Sequence, residues 1–268
     1  MQELLWNSIL SVRKNSPLVH NITNYVVMNN TANALLAIGA SPIMAHAHTE
    51  VSDMVAISNA LVINIGTLDD YWIKSMYMAA QKARELNKPW ILDPVGAGAT
   101  GLRDRTVAEL LTYKPSVIRG NASEIMAIAK VSGIKTKGVD SVHQSSEAIE
   151  AAEQLNKNTG SIICISGATD VIVSCKQSAF INNGHPLMQQ VTGLGCTATA
   201  IIGAFIGNQP ENLFKAVVSA MSLLGIAGEI AQQHSNGPGS LQMNLLDKLY
   251  SITEQEFQQY LKIEIKND

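Results

Sequence analysis

The residues with the clearest chemical potential lie in a short segment rich in glycine and threonine. Gly193 and Gly195 precede Cys196, and an apolar stretch follows. Glycines at a helix start leave backbone N–H groups free to bind an anion, and the positive end of the helix dipole favours negative charge. A cysteine at the same place would have its thiolate favoured by that dipole. The alternative is a structural glycine turn with Cys196 as an ordinary buried side chain.

Two further turns carry carboxylates. Asp93 follows an apolar segment and opens residues 93–100, which contain two glycines. Such a loop can hold a hydrated metal and turn its N–H groups toward phosphate, and a plain tight turn is equally consistent. Asn121 and Glu124 have capping-box spacing, which favours a helix cap. The functional alternative places Glu124 near a divalent cation and Arg119 on a nucleotide phosphate.

A fourth turn begins at Ser166 and Gly167. The hydroxyl and the glycine suit a hydrogen bond to a nucleotide, and a turn into a hairpin is equally consistent. His46, His48 and Glu50 have a spacing that weakly resembles a metal site. They lack clear third and fourth ligands, so a metal site there is disfavoured.

These turns need a scaffold that brings them together. Apolar runs predict strands at 18–22, 42–45, 61–65, 90–92, 117–118 and 162–165, with helices at 25–38, 49–57, 69–86, 105–112, 123–130 and 145–157. We expect Thr49 to cap the second of these helices. Residues 171–173 and 179–181 predict an antiparallel pair near an edge, and the chain from 195 onward is mostly helical. Strand–helix alternation predicts a mostly parallel sheet with helices on both faces, and ligands bind beyond the carboxyl ends of such strands.

Composition excludes several classes of protein. The 268 residues are 46% hydrophobic and 15% charged, with a net charge of −3. A disordered chain would be more charged, and a nucleic-acid-binding protein would show a basic excess. Three cysteines do not form a secreted disulfide framework, and Cys164 and Cys175 are expected to be buried. Helical His143 and His234 are expected to be solvated. We expect one domain over residues 1–268.

The longest uncharged stretch covers residues 177–210. Its most apolar part, residues 191–207, is shorter than a bilayer span and contains threonine and glycine. We therefore expect a buried helix there. The N-terminus begins with an acidic rather than a basic segment, unlike a secretory signal. The chain is thus expected to be soluble and cytoplasmic, with no membrane or nucleic-acid partner.

The order and placement of these motifs resemble the hydroxyethylthiazole kinase family, within the ribokinase-like superfamily. The resemblance rests on residues 20–27, 39–44 and 64–68 and on the four turns above, and it covers nearly the whole chain. Cys196 is its most specific feature, because most ribokinase-like kinases have aspartate there. The resemblance implies a three-layer α/β sandwich with a mostly parallel central sheet.

The resemblance also implies an activity and a set of site residues. The activity is ATP-dependent phosphorylation of the primary alcohol of 4-methyl-5-(2-hydroxyethyl)thiazole in thiamine biosynthesis, with Mg²⁺ and with homotrimers whose sites lie at subunit boundaries. The implied residues are Cys196 for catalysis, Arg119 and Ser166 for ATP, Met44, Gly193 and Asn24 for the substrate, and Asp93 and Glu124 for magnesium. The family more often has threonine at position 166, so this chain keeps the hydroxyl and loses a methyl group.

Three other functions fit the same fold. They are phosphorylation of a different small alcohol, as by a pyrimidine kinase, a nucleotide-using dehydratase, and a catalytically silent binding protein. Cys196 and the N-terminal motif argue against the first. A thiol is an unusual base, because its free pKa is near 8.5 and its thiolate is disfavoured beside a polyphosphate. We therefore expect Cys196 to contribute modestly and alignment to supply most of the rate.

Overall fold

The computed structural model describes residues 1–134 and 144–267, so His143 lies outside the described residues. The helices are α1 (Gln2–Asn15), α2 (Met28–Ala37), α3 (Val51–Ile57), α4 (Asp70–Glu85), α5 (Gly101–Thr112), α6 (Ala122–Val131), α7 (Gln144–Thr159), α8 (Leu194–Asn208), α9 (Leu213–Gln232), α10 (Pro238–Ser251) and α11 (Glu254–Tyr260). The strands are β1 (Leu18–Ile22), β2 (Ser41–Ile43), β3 (Ala60–Asn64), β4 (Trp90–Asp93), β5 (Val117–Asn121), β6 (Ile162–Ser166), β7 (Asp170–Val173), β8 (Gln177–Ile181) and β9 (Ile263–Asn267).

The strands form one sheet in the order β2-β1-β3-β4-β5-β6-β7-β8-β9. Strands β1 to β6 pair in parallel, which confirms the predicted architecture. The predicted antiparallel pair is β7 and β8, and β9 adds an antiparallel edge that the sequence did not predict. Its short alternation of isoleucine with Glu264 and Lys266 is the pattern of a half-covered strand.

Helices cover both faces of the sheet, and each face has its own apolar core. Successive strand residues point to opposite faces, so Val62 joins the core under α8 and α9 while Ile63 joins the core under α4 to α7. The apolar run of β6 divides in the same way. Cys164 is buried on the α8 side, as predicted, and Ile163 on the other.

Helix α8 lies directly on the sheet. A Cβ at Gly203 would lie 2.6 Å from Val62 Cγ2, so a glycine is needed for this close approach. Eleven of the 15 residues of α8 are buried, which confirms the buried helix expected in the uncharged stretch. Helix α9 is long and apolar enough to span a bilayer, and 83% of its apolar window is buried inside the protein, as in a core helix.

Several local predictions were wrong. Helix α2 begins at Met28 because Asn24 Oδ1 accepts the Val26 N–H and holds the preceding residues in a turn. Thr49 does not cap α3, whose N-cap is Glu50. Cys175 is exposed, because β7 ends before it and it lies in the turn to β8. His234 is exposed, as expected.

Candidate functional site

The carboxyl ends of the parallel strands bring most of the predicted site residues to one edge of the sheet. Asn24 follows β1, Asp93 ends β4, Arg119 lies in β5 and Ser166 ends β6. Helix α8 starts at the same edge, so that Cys196 faces the strand ends. The edge is the one where ligands bind in open α/β sheets.

A buried amide connects Cys196 with Asp93. Asn64, the last residue of β3, donates through Nδ2 to Asp93 Oδ2 at 2.6 Å, and its Oδ1 accepts from Asn24 Nδ2 at 2.8 Å. Asn24 Nδ2 also lies 3.4 Å from Cys196 Sγ. Thr199 Oγ1 donates to Asp93 Oδ2 at 2.8 Å. The thiol, the two amides and the carboxylate therefore form one network.

Burial dominates the electrostatics of this network. Loss of water raises the pKa of Asp93 to about 6, although the positive charge of Arg119 and the Thr199 hydrogen bond oppose the rise. Desolvation, followed by the negative charge of Asp93, raises the pKa of Cys196 to about 11. The helix dipole alone favours a thiolate at Cys196, whereas burial and the charge of Asp93 favour the protonated thiol.

The turn before α8 has the predicted glycine geometry. Gly193 is the N-cap residue, with φ of 77°, and a Cβ on it would lie 2.2 Å from Val27 Cγ1. A Cβ on Gly195 would lie 3.0 Å from Arg119 Nη1, so the guanidinium lies against the first turn of the helix. Arg119 is 8% exposed, and its Nε has no hydrogen-bond partner among the described residues. A cation and a helix N-terminus therefore converge on one place, which suits an anion.

A pocket of about 560 Å³ opens beside this place. Its lining joins the strand ends to the surface of α9. The lining residues are Arg119, Asn121, Ser166, Gly167, Ala168, Asp170, Asn183, Gly184, His185, Pro186, Met188, Gln189, Leu194, Gly195, Ala198, Met221, Leu224 and Gly225. Arg119 and Ser166, both predicted for the nucleotide, thus share one cavity whose size suits a nucleotide-sized ligand.

Glu124 has structural partners for both carboxylate oxygens. Oε2 accepts the Asn121 N–H at 2.9 Å, which completes the predicted capping box, and Oε1 accepts the Gly96 N–H at 2.9 Å. The side chain therefore ties the loop after β4 to the start of α6. The described residues contain no cluster of three or more His, Cys, Asp or Glu side chains that could hold a metal.

Met44 lies directly after β2 and is half-buried, and it is not among the residues that line the pocket. The histidines that follow it have aromatic neighbours. His46 packs on Trp72, with ring centroids 4.6 Å apart, and His48 stacks on Tyr71 at 3.8 Å.

Two residues that organise the site were not singled out from the sequence. Asn64 begins the motif at 64–68 and is the one polar residue of the predicted strand 61–65, and that position is the signal that could have given it a role. Arg103 donates to the carbonyl oxygens of Ile65, Gly66 and Val95, and so fastens the loops after β3 and β4 to α5. No local pattern marks Arg103, because its acceptors are backbone atoms distant in sequence.

Comparisons with known proteins agree with this geometry. The model of the hydroxyethylthiazole kinase family matches residues 9–255. The chain is 53% identical over 262 residues to a hydroxyethylthiazole kinase of Syntrophus aciditrophicus, covering 97% of each chain. It is 54% identical over 264 residues to that of Leptospira biflexa, covering 97% of this chain and 98% of the relative.

Solved structures give the same result for the fold. The structure of hydroxyethylthiazole kinase from Pyrococcus horikoshii has a TM-score of 0.92 and 41% identity, covering 99% of this chain and all of that one. A ribokinase-like superfamily protein from Enterococcus faecalis has a TM-score of 0.65 and 14% identity, with 88% of each chain covered. The latter similarity supports the ribokinase-like three-layer sandwich alone.

Proposed function

Because the chain belongs to the hydroxyethylthiazole kinase family, we propose that it transfers the γ-phosphoryl group of ATP to the primary alcohol of 4-methyl-5-(2-hydroxyethyl)thiazole. The product is the monophosphate used in thiamine biosynthesis. One observation of the structure carries this proposal. The first turn of α8 holds Gly195 against Arg119 at the pocket and presents Cys196 to Asn24 on the neighbouring side.

The phosphates of ATP bind where the start of α8 meets Arg119. Ser166, at the end of β6, donates its hydroxyl to the nucleotide in the same pocket. Phosphoryl transfer depends mainly on positioning and on stabilisation of the charge on the phosphoryl oxygens. A well-aimed backbone donor is worth roughly 3–4 kcal/mol at an oxyanion site. The free N–H groups of the first helical turn and the guanidinium supply most of the rate in this proposal.

The alcohol lies on the other side of the α8 terminus, with Asn24, Gly193 and Met44 as its neighbours. Asn24 is the best supported of the three, since its Nδ2 lies 3.4 Å from Cys196 Sγ. The Cys196 thiol, whose pKa of about 11 keeps it protonated at neutral pH, orients the hydroxyl by hydrogen bonding and is a weak proton acceptor.

Magnesium is the implied metal of the reaction. Mg²⁺ keeps several waters and binds through one or two carboxylates together with substrate phosphates. Asp93 fits this requirement, because it is a buried carboxylate whose desolvation, shown by its raised pKa, a cation would relieve. Glu124 fits less well, because both of its oxygens already accept backbone N–H groups. When bound, the ion would neutralise the phosphate charge.

The wider setting of the enzyme follows the family. We infer a homotrimer with the alcohol site near a subunit boundary, acting in the cytoplasm without a membrane or nucleic-acid partner. The small acidic net charge of −3 supports only the part of this inference that excludes a nucleic-acid partner.

An ADP-release assay tests the activity. We expect ADP to form with the thiazole alcohol and Mg²⁺, with equimolar phosphorylated thiazole identified by mass spectrometry. ADP release with hydroxymethylpyrimidine alone would favour a pyrimidine kinase. ADP release with inorganic phosphate and no phosphorylated alcohol would favour a nucleotide-using dehydratase. ADP binding without any turnover would favour a silent binding protein.

A further inference from the structure

Residues 183–190 follow β8, and six of them line one side of the pocket, namely Asn183, Gly184, His185, Pro186, Met188 and Gln189. We call this segment the outer wall of the pocket. This wall lies directly on α9. A Cβ on Gly228 would lie 2.3 Å from Met188 Sδ, and a Cβ on Gly225 would lie 2.8 Å from Asn183 Cβ. The two glycines allow this close approach. The hydrogen bonds that hold the wall on α9 then determine where it lies.

The fastening centres on the carboxylate of Glu229, in α9. Its Oε1 accepts the Gly184 N–H at 3.0 Å and Asn183 Nδ2 at 3.2 Å. Lys262 Nζ donates to both carboxylate oxygens at 3.0 Å. The Glu229 side chain is only 11% exposed, so these donors compensate its loss of water. Hydrogen bonds to a charged group are about twice as strong as neutral ones.

The chain between α11 and β9 completes the same connection. Asn183 Oδ1 accepts the Lys262 N–H at 2.9 Å, and Asn183 Nδ2 donates to the Tyr260 carbonyl at 2.8 Å. The Asn182 N–H donates to the Lys262 carbonyl at 2.9 Å. The Asn183 amide thus uses both of its polar atoms on this brace. Tyr260 and Lys262 lie beyond residue 255, where the match to the family model ends.

We propose that Glu229 and Lys262 are positioning residues for nucleotide binding, and that they brace residues 183–190 as the outer wall of the pocket. The inference rests on the proposed nucleotide site. Neither residue transfers a group. Both act through Asn183 and Gly184, which line the cavity, and a small displacement of a positioning wall is costly to binding.

The test compares Glu229→Gln and Lys262→Met with the unaltered chain. Titration calorimetry with ADP should show binding about tenfold weaker for each variant, a loss typical of residues in one hydrogen-bond network. The KM for ATP should rise by a similar factor, while the KM for the thiazole alcohol stays within about twofold, because the alcohol site lies on the other side of α8. Lys262→Arg should bind ADP as the unaltered chain does, because arginine keeps the positive charge and the N–H donors.

Lys266→Met is the matched control. Lys266 lies on β9 and is 58% exposed, against 57% for Lys262, and its partner Glu264 is itself 62% exposed. This variant removes the same charge nearby and should bind ADP as the unaltered chain does. If Lys266→Met weakens ADP binding as much as Lys262→Met does, the loss is a general effect of charge and the brace is overturned.

The remaining outcomes separate the brace from the proposed function. If the unaltered chain binds ADP and both variants bind it equally well, the brace is wrong and the proposed function stands, even if the variants melt at a lower temperature. If the unaltered chain binds no ADP, the proposed function fails and the brace fails with it. Should Glu229→Gln not fold, Lys262→Met decides alone, because its exposed side chain leaves no buried gap.

Discussion

The position of the Cys196 side chain and its protonation state suggest different catalytic roles. The thiol lies at the start of α8, where a dipole favours a thiolate, yet burial and Asp93 raise its pKa to about 11. A thiol that is protonated at neutral pH gives little general-base help. We therefore expect Cys196→Ala to lower kcat by less than about 10²-fold, the lower end of the usual general-base contribution.

Alkylation by iodoacetamide, followed by mass spectrometry of the Cys196 peptide, checks the protonation state directly. The rate should keep rising as the pH increases above 9, because only the thiolate reacts and the folded-state pKa is raised. Cys175→Ala, which changes an exposed thiol in a turn, is the kinetic control and should leave kcat unchanged. A reaction rate that levels off near pH 7, or a kcat loss beyond about 10²-fold, would contradict this account.

At the scale of elements, the start of α8 depends on a glycine for two separate reasons. Gly193 has φ of 77°, and its Cβ position lies 2.2 Å from Cγ1 of the buried, β-branched Val27. Gly160 has a similar φ of 75° with nothing within 4 Å of its Cβ position. Gly160→Ala should therefore cost about 1 kcal/mol of unfolding free energy from backbone strain alone.

Gly193→Ala should cost about 2–4 kcal/mol, because overpacking adds about 1–3 kcal/mol to the same strain. It should also lower kcat/KM, since the first turn of α8 must shift. Urea denaturation of both variants gives the comparison. Equal losses of unfolding free energy in the two variants would show that the Val27 side chain moves aside at no energetic cost. Adding Val27→Ala to Gly193→Ala should recover the steric part of the loss.

The loop after β4 and helix α6 are joined by one side chain, Glu124. Removing it in Glu124→Ala takes away a capping box and a hydrogen bond from the Gly96 N–H, so we expect a loss of about 2 kcal/mol. The KM for Mg²⁺ should rise less in Glu124→Gln than in Asp93→Asn, because both Glu124 oxygens are engaged by the backbone. The reverse order, measured by titrating Mg²⁺ in the ADP-release assay, would make Glu124 the principal metal ligand.

The sequence predicted those parts of the fold that depend on local patterns. Apolar β-branched runs such as residues 162–165 revealed the parallel strands, and the spacing of Asn121 and Glu124 revealed a helix cap. The short strand β9 was not predicted, because Glu264 and Lys266 on its exposed face leave only Ile263 and Ile265 as an apolar signal. The exposure of Cys175 depended on where the hairpin turned, and strand propensity does not determine that position.

Features of the site that depend on distant parts of the chain could not be predicted in this way. The network of Asn24, Asn64 and Cys196 spans 172 residues in sequence, and only the strand order brings its members together. The raised pKa of Asp93 likewise results from burial by several elements. Strand–helix alternation predicted the edge of the sheet, the resemblance to a family assigned roles to residues there, and the tertiary structure supplied their hydrogen-bond partners.

At the scale of the whole molecule, the exposed apolar residues beside the site bear on the proposed trimer. Tyr25 and Val26 are 59% and 64% exposed and follow Asn24, so a neighbouring subunit seated on them would close the alcohol site. Analytical ultracentrifugation should give three times the chain mass of 28.8 kDa. Val26→Asp should lower this mass and raise the KM for the alcohol, because a buried charge disfavours the interface.

Leu86→Asp is the control. Leu86 is 40% exposed and precedes β4, at the edge of the sheet opposite the site, so the trimer should persist. A monomeric unaltered chain with full activity would show that one subunit holds the complete site.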